Sequence, residues 1–436
     1  MHYLYIDEKG PQDTIRMTTP YDEEKKIRLG SDNMYVYVAD LIKINRESLH
    51  KIEENYKLLE KKYISSRNLP DYKELKGKDI LAKNFKYGIA SLKNRELDFY
   101  NSLFDILLEN HVDNLLFTIN KMSLVADNRL TQWILKLEEK RYIESARLFK
   151  YSLVKYLELE ASDSVIQSIF DKYKGNREVL TEIQKDLAAF VTKNKNIQRM
   201  KYQIQDYERL VQTIRKTKHF IQDTPFNEVS FDWNKVTFDI DLWITEMNFY
   251  NKFDSQSAEL ILDEGIPIDP FKKLDIPSIK ENEDSVTHVG LRISDVLVVL
   301  SGKYISKLAN EHRYDKNNPG KRKLLSNEWF QLDKKQFNLL KKMTEYFFPK
   351  DSTYCFIVDT YFDDAVLFET YFRYINTYNS FNDYKDHMET HVEQYFNYIA
   401  QTLLSKWNTA LENEREIRKV YGNVNSGLKS GSVRPL

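Results

Sequence analysis

The sequence contains little of several features that would define other classes of protein. Cys355 is the single cysteine among 436 residues, which excludes an internal disulfide framework and a cysteine-based structural zinc site. Twelve glycines and ten prolines are few for this length, and their scarcity favours helices over a sandwich of sheets. No apolar run approaches the ~20 residues of a membrane-spanning helix, so we expect a cytoplasmic protein with no membrane association.

The charge balance does not identify a partner. Lys and Arg total 65, Asp and Glu total 66, and the formal net charge is −1. A basic surface that binds nucleic acid would therefore have to be local. Apolar residues make up 42% of the chain, which is typical of a globular protein, and the length allows two or three structural units.

Hydrophobic periodicity predicts a mixed α/β protein. Strands are predicted at 2–6, 14–18, 34–39, 112–119 and 258–262. Helices are predicted where apolar residues recur at helical spacing, at 43–64, 92–110 and 289–308. From Ile197 to Ile214 the apolar spacing alternates between three and four. This pattern indicates a long helix, either in a hairpin that packs on itself or in a seam with a partner helix.

These elements divide the chain into four parts. The predicted sheet core covers 1–126 and 256–310, and a mainly helical insert at 127–255 interrupts it. A helical C-terminal region covers 311–421, and a tail rich in Gly, Ser and Asn at 422–436 is predicted to be flexible. The helical regions are candidates for contact with a protein partner or for self-association.

Three acids lie where a predicted strand ends or a predicted helix is apolar. Asp7 and Asp263 follow strands, and Asp295 is the one acid in an otherwise apolar stretch. An ionised carboxylate is costly to bury, so each needs a cation, hydrogen-bond donors or a metal ion. Carboxylates are ligands of Mg²⁺ and Mn²⁺, which can activate water for phosphodiester hydrolysis. Taken singly, each acid also fits a turn or a structural salt bridge.

Several segments resemble a known family, the broad prokaryotic group called domain-of-unknown-function family 3800. Its members are RNase H-like and open with a strand that reads Tyr-Ile-Asp-Glu-Ser-Gly, which is similar to residues 5–10 of this chain. The other similar segments, in the same order along the chain, are 74–79, 117–121, 260–265, 284–285 and 290–295. Apart from the helical insert, the resemblance spans about 1–310.

The resemblance implies an RNase H-like mixed sheet that carries a metal-dependent nuclease site. Asp7, Asp263 and Asp295 would be metal ligands, with Glu8 or Glu264 as a further ligand or a group that orients water. The implied cofactor is Mg²⁺ or Mn²⁺, and the implied substrate is RNA or DNA. Proteins of this kind often lie in mobile or anti-phage defence loci.

The resemblance also implies a role for two lysines, and the chain departs from the family pattern at three positions. Lys76 and Lys121 would contact the scissile phosphate as point charges. Lys9 stands where the family usually has serine, Arg292 where it has glutamine, and Asn120 where an aspartate is common. These departures keep a second function open, a catalytically degenerate scaffold that binds a protein or a nucleic acid.

Overall fold

The computed structural model describes residues 1–9, 15, 17–18, 28–29, 34–70, 74–81, 85–312, 324–350, 355–358 and 363–434. The strands are β1 (His2–Lys9), β2 (Met17–Thr18), β3 (Arg28–Leu29), β4 (Val36–Asn45), β5 (Asp113–Asn120), β6 (Ala258–Asp263), β7 (Ser278–Glu283) and β8 (Phe356–Val358). The helices are α1 (Arg46–Ser66), α2 (Gly77–Ile80), α3 (Asn94–Glu109), α4 (Lys121–Glu139), α5 (Ala146–Leu159), α6 (Asp163–Phe170), α7 (Asn176–Asn194), α8 (Lys201–Thr217), α9 (Trp233–Phe249), α10 (Val289–His312), α11 (Lys334–Phe347), α12 (Asp363–Asn376), α13 (Phe381–Asp386), α14 (His391–Tyr421) and α15 (Val424–Lys429). None of these described helices combines the length and the apolar character needed to cross a membrane.

The main sheet has six strands of mixed direction, in the order β7-β6-β1-β4-β5-β8, and β2 pairs with β3 in a separate ribbon. β1 lies inside the sheet, antiparallel to β4 and parallel to β6. Its position suits its sequence, because Leu4 to Ile6 form an unbroken buried run that needs cover on both faces. The predicted mixed α/β class is confirmed, whereas the RNase H-like identity stays a prediction.

The sheet has two buried faces because side chains alternate along each strand. Leu4 and Ile6 belong to one core, which includes apolar residues of α4 to α9. Tyr5 and Ile261 belong to the other core, which includes residues of α1, α3, α10, α11 and α12. The helical insert therefore covers one face of the sheet, and α10 with the C-terminal helices covers the other.

Element boundaries differ from the prediction early in the chain. The strand predicted at 14–18 appears only as β2, which pairs outside the main sheet, and Thr14 and Arg16 lie outside the described residues. The strand predicted at 34–39 begins at Val36 and continues to Asn45, into the start of the predicted first helix. Pairing of β4 with β1 on one side and β5 on the other overrides the local helical periodicity.

The predicted insert at 127–255 is fully described and contains helices and no strand. In α8 the apolar residues Ile204, Tyr207, Val211 and Ile214 are buried, and α8 packs against α7 and α5. The seam predicted from their spacing is therefore filled by helices of the same chain.

The C-terminal region contains a strand that periodicity did not predict. β8 runs parallel to β5, with Leu116 opposite Phe356, and its three residues are too few for a periodic signal. Farther along, α14 extends back to the insert. There Glu414 accepts hydrogen bonds from the backbone N–H groups of Ala146 and Arg147, at 2.9 and 3.0 Å, and so caps α5.

The tail predicted to be flexible folds back onto the insert as far as it is described. Gly422 ends α14 with a φ of 82°, and α15 follows with Val424 fully buried. Arg434 then donates to both carboxylate oxygens of Asp239 on α9, at 2.9 and 3.0 Å. Composition alone could not indicate this contact, because the carboxylate that Arg434 binds lies 195 residues away in the sequence.

Removing the guanidinium of Arg434 should destabilise the fold. In an Arg434→Ala variant the side chain of Asp239, which is 2% exposed, loses the guanidinium whose Nε–H contacts both of its oxygens. We expect the free energy of unfolding to fall by about 2–3 kcal/mol, measured by urea denaturation followed by circular dichroism.

The matched control for this prediction is Arg415→Ala. Arg415 pairs with Glu144 where both side chains are 55% exposed, and a surface pair of this kind contributes about 0–1 kcal/mol. Equal losses for the two arginine variants would contradict an anchoring role for the tail.

Candidate metal centre

β1 and β6 bring two aspartates to the same end of the sheet. The strands are parallel and Ile6 lies opposite Leu262, so Asp7 and Asp263, the next residues, emerge side by side. Both aspartate side chains lie on the face of the sheet that carries Tyr5, since side chains alternate along a strand. Their carboxyl groups are in hydrogen-bonding contact with each other.

Helix α10 packs on this face and adds a third acid. Gly290 lies against the ring of Tyr5, where a Cβ would come within 2.3 Å of ring carbons, and this close approach seats the helix on β1. Asp295 follows within the next two turns. One of its carboxylate oxygens accepts a hydrogen bond of 2.6 Å from the backbone N–H of Gly77, the first residue of α2. The position of this carboxylate is therefore held by the backbone.

Burial and mutual repulsion raise the pKa values of these carboxyl groups. Asp7 is only 6% exposed, and its burial, together with the charges of Glu8, Asp263 and Asp295, raises its pKa well above the usual value. Burial also raises the pKa of Asp263 and of Asp295, although backbone hydrogen bonds offset part of the effect. The contact between Asp7 and Asp263 therefore opposes ionisation of both groups at once, because two like charges so close repel each other.

Lys76 supplies a cation next to the acids. Its ammonium donates to Ser285 Oγ at 2.7 Å and pairs with Glu74 at 2.9 Å, and the Ser285 hydroxyl donates to the same Glu74 oxygen at 2.6 Å. Burial by itself would lower the pKa of Lys76, but Glu74, Asp295 and Asp263 outweigh it and raise the pKa. The role of Ser285 in orienting this lysine has no signal in the sequence, because it depends on two loops that meet only in the fold.

The two predicted glutamates do not join the acid cluster with their carboxylates. Glu8 points to the opposite face by strand alternation, although its charge contributes to the raised pKa of Asp7. Glu264 has an exposed side chain, and it contributes a backbone hydrogen bond to the carboxyl group of Asp263. The ligand or water-orienting roles implied for them are not supported by their positions.

Lys121 and Asn120 also lie away from the acids, where β5 leads into α4. Lys121 is fully buried, with its ammonium 4.8 Å from the centroid of the Tyr37 ring, which belongs to the core on the opposite face. The structure therefore does not bring Lys121 to the site. Asn120 accepts from the backbone N–H of Ser123 at 2.8 Å and donates to Glu158 at 2.6 Å. It caps α4.

The other two departures from the family pattern lie close to the site. Arg292 pairs with Glu60 of α1 at 3.3 Å, and burial raises the pKa of Glu60 to about 7 despite this partner. The pair ties α10 to α1. The Lys9 side chain lies on the same face of the sheet as Asp7. Its charge partly offsets the effect of burial on the pKa of Asp295.

Asp40 is a buried acid that sequence reasoning missed. It lies opposite Asp7 in the register of β1 and β4 and is completely buried. Its carboxylate accepts a hydrogen bond of 2.7 Å from Asn114 of β5, and burial raises its pKa to about 7. The signal was present, because Asp40 is the single acid in the apolar sequence of β4. Its bond to Asn114 directs it towards β5.

Asp7 and Asp263 are a donor set suited to Mg²⁺ or Mn²⁺. Mg²⁺ is usually held by one or two carboxylates, with water and substrate phosphate completing its shell. A divalent cation would compete with protons for these carboxyl groups, because a metal ligand of this type must be deprotonated. Among the described residues, no three His, Cys, Asp or Glu side chains form a ready-made metal cluster. The residues therefore fit an ion site that substrate completes, and not a closed protein cage.

Comparison with known proteins adds no family to this geometry. No protein-family model, no curated protein and no solved structure matches the chain. The resemblance to domain-of-unknown-function family 3800 therefore remains a prediction from sequence segments such as 5–10 and 290–295. The candidate site depends on its own geometry, the paired carboxyl groups of Asp7 and Asp263 beside Asp295.

Replacing one acid of the pair should stabilise the metal-free protein at neutral pH. Because the folded state raises the pKa of Asp7, it binds that proton more tightly than the unfolded chain does, and stability is lost as the pH rises through the folded-state pKa. Asp7→Asn removes this loss and keeps an acceptor for the backbone N–H of Glu8, which lies 2.6 Å away. For each unit by which folding raises the pKa of Asp7, the substitution should increase the free energy of unfolding by about 1.4 kcal/mol.

Urea denaturation in EDTA measures this effect. We expect the Asp7→Asn variant to be more stable than the wild type, with a larger difference at about pH 8 than at about pH 5. The matched control is Glu264→Gln, an exposed acid beside the pair, whose effect should stay within about 0.5 kcal/mol at both pH values. A loss of stability for Asp7→Asn at the higher pH would contradict a raised pKa of Asp7 in the folded protein.

Proposed function

We propose that this protein is a divalent-metal-dependent nuclease that hydrolyses phosphodiester bonds in RNA or DNA, built on an RNase H-like core. The observation that carries the proposal is the contact between the buried carboxyl group of Asp7 and the half-buried one of Asp263, with Asp295 close enough to raise the pKa of both. Acids gathered against their own repulsion destabilise a fold, so such a cluster is a mark of functional sites.

The sheet supports the RNase H-like part of the proposal. β1 lies between antiparallel β4 and parallel β6, and Asp7 is near its C-terminal end. The parallel neighbour ends in Asp263, and α10 on one face carries Asp295. Acids at these three places, on early strands and a late helix, are the plan that the resemblance implies.

In the proposed site Asp7 and Asp263 would hold the Mg²⁺ or Mn²⁺ ion. When bound, an ion of this kind activates water and neutralises charge on the phosphate that is cleaved. Asp295 adds negative charge next to the pair, and the backbone of Gly77 holds its carboxylate in place. Burial of Asp7 lowers the local dielectric around its carboxyl group, which strengthens the attraction of its charged form for a cation.

Lys76 would bind the anionic oxygens of the scissile phosphate. Its ammonium is held at the edge of the acids by Glu74 and Ser285, and the acids keep it charged. A lysine that is already oriented needs no rearrangement when charge develops on the phosphate, and this preorganisation favours catalysis. Lys121 has no part in the proposed reaction, because it lies on the other face of the sheet.

A non-catalytic scaffold is the second candidate function. Two observations favour it: one oxygen of Asp295 is already bonded to Gly77, and Lys9 supplies positive charge from the chain itself next to the acids. In that function the core would hold the helical regions in place for a protein or nucleic-acid partner.

Cleavage assays test the nuclease proposal. We expect the wild-type protein to cleave labelled RNA or DNA with Mg²⁺ or Mn²⁺ and to be inactive in EDTA. Asp7→Asn and Asp263→Asn should each lower the initial rate by about 100-fold or more, because changes to groups that merely support metal ligands already cost about 10–100-fold.

The matched control for the cleavage assay is Asp40→Asn. It makes the same chemical change at a buried aspartate opposite Asp7 whose carboxylate is directed to Asn114, and it should leave cleavage unchanged. Cleavage that survives both Asp7→Asn and Asp263→Asn would rule out the site. A metal-loaded wild type that cleaves no substrate would favour the scaffold.

A further inference from the structure

A pocket opens at the surface of the helical insert, between α5, α8 and α14. Its volume is about 460 Å³, within the usual range of about 300–1,000 Å³ for ligand pockets. α5 contributes Leu148 and Phe149, α14 contributes Trp407 and Leu411, and α8 contributes mainly polar side chains. Because α5 and α8 belong to the core on the face of the sheet opposite the acids, the pocket is a separate site from the candidate metal centre.

Trp407 differs from the other tryptophans because it is not buried. Four of the five tryptophans are at most 4% exposed, namely Trp133, Trp233, Trp243 and Trp329. Trp407 is partly exposed and lines the pocket. The ring of Tyr151 meets it in a T-shaped contact, with 6.0 Å between the centroids, and so restricts its orientation. An indole placed in this way is suited to stacking on a flat aromatic ligand such as a nucleobase.

Helix α8 carries a line of cations past the pocket. Five exposed residues at spacings of four, four, three and four share one side of the helix, namely Lys201, Gln205, Arg209, Gln212 and Lys216. They include three cations and no acid, and the line is about 22 Å long at the helical rise. Arg209, Gln212 and Lys216 also line the pocket. No carboxylate of the described residues lies within ion-pair distance of these three cations.

The two acids that line the pocket have partners of their own. Glu144 pairs with Arg415 of α14. Asp206 accepts a hydrogen bond from the hydroxyl of Ser152, and burial raises its pKa. The cations at the pocket are therefore the charges that lack an ion-pair partner. Together with the exposed indole, they suit a ligand that combines negative charge with a flat ring.

We propose that this pocket and the line of cations on α8 bind single-stranded nucleic acid, with one base stacked on Trp407 and phosphates at Arg209 and Lys216. The line of about 22 Å also reaches Lys201, which is farther than a single nucleotide extends. Asp206 can accept a hydrogen bond from an amino group of the stacked base. The inference does not rest on the proposed nuclease, because the pocket lies on the other face of the sheet.

Binding measurements in EDTA test this inference without cleavage. The probe is a single-stranded DNA of mixed sequence and about twelve nucleotides, within the usual range of single-strand sites. Quenching of tryptophan fluorescence reports on Trp407, because the other tryptophans are buried, and a labelled copy of the strand gives the affinity by anisotropy. We expect Trp407→Leu to abolish the quenching and to weaken binding about 10-fold. Trp407→Phe keeps an aromatic face and should bind within about threefold of the wild type.

Charge variants test the line of cations separately. Arg209→Met and Lys216→Met should each weaken binding about 5-fold at low salt and reduce the slope of log K against log salt by about 0.7, the share of one phosphate contact on a single strand. The matched control is Lys51→Met, which removes one exposed positive charge from α1 on the other face of the sheet and should change neither quantity. Circular dichroism verifies folding, and these variants decide the question if Trp407→Leu fails to fold.

The inference would be overturned if the wild type bound no strand at low salt, or if Trp407→Leu bound it with wild-type affinity. It would also be overturned if Arg209→Met and Lys216→Met behaved like Lys51→Met. Equal affinity for deoxyadenosine monophosphate would assign the pocket to free nucleotides and would exclude the strand. Asp7→Asn should bind the strand in EDTA as the wild type does, so a loss of cleavage in that variant reports on the nuclease alone.

Discussion

Helix α10 crosses β1 at the point where Gly290 meets the ring of Tyr5. A Cβ on that glycine would lie 2.3 Å from ring atoms, so a larger residue would push the helix away from the sheet. Because a helix has a regular rise, this contact also sets where Asp295 and, two turns later, Gly302 stand relative to the strand. The acid cluster and the space at Gly302 for the stem of Lys9 both follow from one close approach.

Asp239 and Glu414, two buried acids elsewhere in the fold, are matched with donors. Arg434 covers Asp239 with two hydrogen bonds, and the carboxylate of Glu414 caps the start of α5. Asp7 and Asp263 are treated differently, since they contact each other at the ends of two parallel strands and the pKa of each is raised. An arrangement that lowers stability in the metal-free state is understandable when a divalent cation is the partner that completes it.

The three departures from the family pattern each have a local explanation. Asn120 caps α4, and Arg292 pairs with Glu60 to join α10 to α1. The stem of Lys9 fills the space that Gly302 leaves. None of the three removes Asp7 or Asp295 from the cluster, so the departures alone do not argue against a nuclease. The choice between nuclease and scaffold depends on whether metal and substrate bind.

The sequence by itself predicted most of the long elements and the candidate acids, because periodicity and an acid in an apolar run are properties of neighbouring residues. The sequence pattern identified Asp7, Asp263 and Asp295 as candidate site residues. Asp40 was not identified, although it too is a single acid in an apolar run. The sequence could not order the strands, assign Lys121 to the far face or fold the tail back, because these depend on contacts between distant segments. Only the parallel pairing of β1 with β6 placed Asp7 beside Asp263, and strand pairing of that kind is decided by the whole fold.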